Sequence, residues 1–174
     1  MRALAQWTLA LLLALVTCSS ASTSPIITPN GSTLELPAHK SPVTFELALV
    51  HIRSEKSTHS LMAEVARTPQ QHMRGLMYRT AMPPDSAMLF VFSSDQTRGF
   101  WMYRTHLSLS IAYLDRQGVI VSIKNMEPCF ERSPQQCRSE AKAYRPAVPY
   151  RYALEVNQGY FRQNAIAIGD QVQW

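Results

Sequence analysis

Between Leu107 and Ile123 the chain alternates with a period of two, and that pattern commits it to a sheet. Leu107, Leu109, Ile111 and Tyr113 fall on one face, with Ser108, Ser110, Ala112 and Leu114 on the other. Asp115-Arg116-Gln117-Gly118 supplies turn residues, after which Val119, Val121 and Ile123 resume the alternation. Side chains of a strand point to opposite faces in turn, so two such runs joined by an Asp-to-Gly turn form a β-hairpin.

The remaining segments read the same way. Val43 to Ile52 alternates, with Val43, Phe45, Leu47 and Leu49 on one face of a half-buried strand. Leu61 to Arg67 is a second strand. Met88-Leu89-Phe90-Val91-Phe92 is apolar at every position, as expected of a central strand covered on both faces. Tyr152 to Val156 and Gln171 to Trp174 complete the set. Helix signals are few. Thr68-Pro69-Gln70-Gln71 offers an N-cap, a proline at the first helical position and the glutamine of a capping box, with Gly75 near the helix end. Gly159 to Asn164 has room for one helical turn. The expected fold is all-β, a small β-sandwich or jelly-roll-like barrel with one or two short helices.

The amino terminus is set apart from this pattern. Arg2 precedes an apolar run, Trp7 to Val16, and Ser19-Ser20-Ala21 offers small residues for cleavage before Ser22. Residues 1–21 therefore read as a signal peptide, and the run is too short for a comfortable membrane span. Leu15-Val16-Thr17-Cys18 is an alternative lipobox, which would end a lipoprotein signal before Cys18 and place the chain on the outer membrane. Residues 22–42, rich in Ser, Thr and Pro, read as a flexible tether, and 43–174 as the β domain. The expected location is the periplasm or the exterior. Contact with a membrane follows only if Cys18 is lipidated. Cys129 and Cys137 form an even pair in an oxidising compartment, and a disulfide between them is expected. Closing that short loop, FERSPQQ, is worth about 2.5 kcal/mol in the chain-entropy description.

Basic charge comes from 13 arginines against 4 lysines, giving a net charge of +5. Arginine forks match carboxylate and phosphate, so an anionic ligand is one use for them. They are scattered singly, without the Lys/Arg runs of a nucleic-acid surface, and no nucleic acid is expected as a partner. There is no phosphate loop, dinucleotide fingerprint or G-x-S-x-G elbow, and the histidines lack zinc spacing.

A set of short motifs in fixed order runs along the domain. They are Arg74-Gly75-Leu76-Met77 with Arg79, Met88-Leu89-Phe90, Phe100-Trp101-Met102, Thr105, Asp115 and Gly118, Leu154-Glu155, Gly159, and Gly169-Asp170. Over about residues 61 to 173 this order resembles the DUF192 family of uncharacterised bacterial and archaeal proteins. The resemblance implies a compact all-β, jelly-roll-like domain and no particular reaction. Departures from the family pattern include Ala87 where glycine is usual, and Ser110 where a carboxylate is expected.

Candidate residues follow from chemistry. Arg74, Arg79, Trp101, Thr105 and Glu155 could line a shallow cleft for a small polar ligand, a glycan or an envelope protein, without catalysis and without a cofactor. Glu155 points away from Leu154 and Val156; if buried, it needs a partner such as Arg74 or Arg79. An alternative is a hydrolase-like enzyme with Glu155 as base and Arg79 as electrostatic stabiliser. A third reading is periplasmic Cu(I) binding through His72, Met73 and Met77, since thioether and imidazole suit that ion. These methionines equally suit ordinary packing.

Overall fold

The computed structural model describes residues 43–174. The signal-peptide, lipidation and tether readings fall outside the described residues. Among the described residues, seven strands form one curled, half-barrel sheet, and three short helices accompany them. The strands are β1 (Glu46–Arg53), β2 (Thr58–Ala66), β3 (Ser86–Gln96), β4 (Leu109–Leu114), β5 (Ile120–Met126), β6 (Tyr150–Asn157) and β7 (Gln171–Gln173). Their order across the sheet is β5-β4-β6-β3-β2-β1-β7. Every pairing is antiparallel except β2 with β3.

The alternating hairpin is β4 and β5. Its turn is held by the Asp115 carboxylate, which accepts the backbone N–H groups of Gln117 and Val119 at 2.8 and 2.9 Å. Gly118 has φ +80°, and a Cβ there would stand 2.5 Å from the Val172 carbonyl oxygen. That close approach brings β7 against the start of β5. A bridge between Val119 and Gln171 and the bond from Ile120 N–H to the Asp170 carbonyl (2.9 Å) pin the two edge strands together at one corner.

Both faces of the sheet are buried at its centre. Val50, Ile52, Leu89, Leu114, Leu154 and Val156 belong to the cluster on the inner face. Met88, Phe90, Ile111, Tyr113 and Ala153 belong to the cluster on the outer face. The continuous apolar run Met88 to Phe92 lies in β3, in the interior of the sheet, as its composition demands. In β1 the buried parity differs from the expected one. Val50 and Ile52 are fully buried, whereas Leu47 and Leu49 are 67% and 49% exposed. The inner face of β1 carries the core residues, and among the described residues nothing covers Leu47 and Leu49 on the other side.

Helix α1 (Pro69–Arg74) begins with the expected capping box at Thr68 and Gln71 and ends at Gly75. Helix α3 (Tyr160–Gln163) is the single turn after Gly159. Helix α2 (Pro134–Glu140) stands where the sequence reads as a turn-prone loop. Ser133-Pro134-Gln135-Gln136 repeats the α1 start signal, and Ser133 and Gln136 cap each other in the same reciprocal way. Cys137 on this helix is disulfide-bonded to Cys129.

Candidate functional site

The site grows from the strand parity of β6. Leu154 and Val156 face the inner cluster, so Ala153 and Glu155 face the outer one. On either side of Glu155 stand Met88 of β3 and Ile111 of β4. These surroundings are apolar, and Glu155 is only 4% exposed. None of the ion pairs among the described residues includes it. No fully sealed side-chain oxygen lacks a hydrogen-bond partner among these residues, so the unpartnered Glu155 carboxyl opens onto space. That space is a slot of about 30 Å³. Burial in apolar surroundings disfavours the charged form and pushes the Glu155 carboxyl up to about 8.

The slot brings together four of the five expected cleft residues. Arg74, Trp101, Thr105 and Glu155 all line it. Arg74 comes from the last turn of α1, where Gly75 turns the chain with φ +43°. Thr105 is buried, and its hydroxyl makes a single long bond of 3.4 Å to the Tyr103 carbonyl. Arg79 is elsewhere. Both arms of its guanidinium grip the Glu64 carboxylate at 2.6 Å, a bidentate pair on β2. Arg79 thus satisfies Glu64, not Glu155, and the expected pairing of Glu155 with Arg74 or Arg79 does not form. The Glu64 pair sits one strand beyond Met88, which separates it from Glu155 in the sheet register.

His72, Met73 and Met77 also line the slot. The His72 Nε2 lies 3.0 and 3.2 Å from the carbonyl oxygens of Ala66 and Val91. Both partners are acceptors, so this nitrogen carries the proton and holds α1 against β2 and β3. Its ring packs on Phe92 with centroids 4.5 Å apart. These contacts account for His72 as a packing residue.

Around the mouth, guanidinium groups and aromatic rings stack in alternation. Arg74 and Arg104 lie over Tyr78 at 5.0 and 5.3 Å, and Arg104 also lies over Tyr103 at 5.0 Å. Tyr103 packs against Trp101 at 5.2 Å, and Arg138 covers Trp101 at 5.3 Å. Tyr78 and Arg104 hold positive φ values of 67° and 56°, and the Tyr78 N–H donates to the Arg104 carbonyl at 2.8 Å. Left-handed backbone at non-glycine residues costs on the order of 1 kcal/mol each and concentrates at functional positions. Arg74, Arg104 and Arg138 have no carboxylate partner among the described residues.

The disulfide segment supports this rim. Arg138 belongs to α2, the Arg104 N–H donates to the Cys129 carbonyl (3.1 Å), and the Cys129 N–H donates to the Thr105 carbonyl (3.2 Å). Gly99 lets the end of the α2 segment approach, since a Cβ there would stand 2.0 Å from the Ala141 carbonyl oxygen. Arg104, Arg138 and Tyr78 were not expected at the site from the sequence. The cue for Tyr78 and Arg104 was their place next to the motif residues Met77 and Thr105. Arg138 had no local cue, because the fold carries it across from the disulfide segment.

Beside the slot runs a wider groove of about 390 Å³. The two share His72, Met73, Phe90, Phe100 and Trp101, and the groove adds Phe92, Tyr150 and Arg98.

Fold and site define a small curled-sheet domain with an acid at the floor of a narrow slot. The family described as DUF192, Uncharacterized ACR, matches residues 50–174, and the chain belongs to it. No curated protein matches the chain. Among solved structures, the chain is similar to a Sinorhizobium meliloti protein described as a candidate transcription regulator. The two are 30% identical with a TM-score of 0.66, over 76% of this chain and 96% of that one. A Novosphingobium aromaticivorans protein of unknown function has the same fold, at 24% identity and a TM-score of 0.65, covering 88% of this chain and 94% of its own.

Proposed function

We propose that the chain is an exported, non-catalytic binding domain of the cell envelope that holds a small polar ligand in the slot over Glu155. The reading is carried by the Glu155 carboxyl, which is buried, has no partner among the described residues, and is open to a cavity that Arg74 and Thr105 also line. A buried polar group left unpaired costs stability, and a ligand that pairs with it recovers that cost on binding. Export draws support from the amino-terminal pattern and from the Cys129–Cys137 bond, which suits an oxidising compartment such as the periplasm. Lipid attachment at Cys18 is the alternative form of the same placement. At about 30 Å³ the slot is too small for a sugar ring, so a glycan would have to lie in the outer groove.

An enzymatic reading has one observation in its favour. A carboxyl raised to about 8 is poised for proton transfer near neutral pH. Its expected stabiliser, Arg79, is committed to Glu64, and the slot lining supplies no second carboxyl.

Native mass spectrometry of the protein recovered from the cell envelope tests the binding reading. The expected spectrum contains a small-molecule adduct that disappears in Trp101→Ala while the disulfide and the circular dichroism persist. A wild-type protein that is bare under gentle conditions would overturn it. The same mass reports the mature amino terminus and any lipid on Cys18.

A further inference from the structure

We propose that slot and groove together take an organic carboxylate with an apolar, planar body, its head on Glu155, Thr105 and Arg74 and its body against Phe92, Phe100 and Tyr150. This rests on the binding site proposed above and names the class of its ligand. The slot volume of about 30 Å³ suits a head the size of a carboxylate or one or two waters. The groove beside it, about 390 Å³ and walled by aromatic rings, falls within the usual range of small-molecule sites. The two share Phe100 and Trp101 and so lie side by side, and the proposed ligand spans them.

The polar residues that line the slot offer donors. Arg74 has five N–H groups and no carboxylate partner among the described residues, and the Thr105 hydroxyl is held by one long bond. Glu155, protonated at neutral pH by its burial, adds an O–H. An oxyanion satisfies all three, whereas an ammonium head would face the Arg74 charge.

The other titratable and charged groups around Glu155 do not reverse that balance. On α1, His72 is tied to backbone carbonyls. Tyr113 on β4 and Tyr150 on β6 donate their hydroxyls to the carbonyls of Tyr144 and Arg98. Glu64 on β2 is neutralised by Arg79. Arg98 lines the groove, and Arg104 and Arg138 stand in the rim stack. The charged residues around the slot that lack a carboxylate partner among the described residues are therefore all arginines.

Isothermal titration of the mature, disulfide-bonded protein with 3-phenylpropionate, and separately with 3-phenylpropylamine, tests the assignment. The acid is expected to bind and the amine not to. Above pH 8 the acid's affinity should fall about tenfold per pH unit, because an ionised Glu155 repels the ligand carboxylate. Glu155→Gln should bind the acid at pH 7 through its amide N–H and lose that pH dependence. Arg74→Met should weaken binding at least tenfold. Preference for the amine, an acid affinity unchanged between pH 6 and 9, or no binding of the acid at millimolar concentration would each overturn the assignment. An adduct in the envelope-derived protein under any of those outcomes would leave the binding site standing and only the ligand class in error.

Discussion

At Glu155 the folded protein holds a proton that the unfolded chain releases. Burial pushes its carboxyl from the ordinary value of 4.5 up to about 8. Below about pH 4.5 both states carry the proton and the group is neutral toward folding. Between pH 4.5 and 8 the native state binds more protons than the unfolded one, so stability falls as pH rises through that window and levels off above it. One such proton amounts to about 1.4 kcal/mol per pH unit. Glu155→Gln keeps the shape without the titration, so it should gain on the wild type steadily from pH 5 to pH 8 in thermal unfolding. Parallel profiles for the two proteins would show that Glu155 is not buried in this way. Ser110 is the instructive contrast. It occupies a position where the family pattern expects an acid, but it lies on the opposite face of β4 from Ile111. There it donates to Asn125 at 2.7 Å and accepts from the Gly159 N–H at 2.9 Å. The exchange of acid for hydroxyl there does not touch the slot.

Among the elements, β1 and α2 separate what local pattern reveals from what it leaves open. Alternation in Val43 to Ile52 identifies a strand, but both parities are apolar, and which one meets the core depends on how β1 pairs with β2 and β7. The prediction is accordingly asymmetric. Leu47→Ser and Leu49→Ser should each change stability by less than about 1 kcal/mol, whereas Ile52→Ala should cost about 2–4 kcal/mol in urea unfolding. A large loss from the leucines would mean that something covers that face. Helix α2 was legible in principle, since Ser133-Pro134-Gln135-Gln136 carries the same capping chemistry as Thr68-Pro69-Gln70-Gln71. The polar composition between the two cysteines concealed it, because the helix buries only Cys137 and so shows no apolar stripe.

For the molecule as a whole, one curled sheet buried on both faces at its centre explains why the all-β class and most of the slot residues were readable, whereas the geometry of the site was not. Period-two alternation and the apolar run in β3 are local signals, and they report strands faithfully. The slot is assembled from α1, the loop before β4 and β6, with a rim residue added by α2, and the sequence holds no record of those distances. Parity did place Glu155 opposite Leu154 and Val156. That it would be buried without a partner among the described residues, and that Arg79 would turn to Glu64, are consequences of packing. The same view predicts a role for the disulfide beyond its own segment, since Cys129 is bonded through its backbone to Arg104 and Thr105. Replacing Cys129 and Cys137 together with serine should cost about 2.5 kcal/mol. It should also speed amide hydrogen exchange in residues 101–105 more than in β2 or β3. Uniform acceleration across the domain would indicate that the bond serves global stability alone.

At neutral pH Glu155 is expected to present to the ligand cavity a protonated carboxyl that has no partner among the described residues. Carbon-detected NMR of the glutamate side-chain carboxyls, with Glu155 assigned by its absence in Glu155→Gln, measures this directly. The Glu155 resonance is expected to titrate at about pH 8. A midpoint in the ordinary carboxylate range, about 4 to 5, would mean that the group is solvated or paired in solution, and would contradict both the binding site and the ligand class drawn from it.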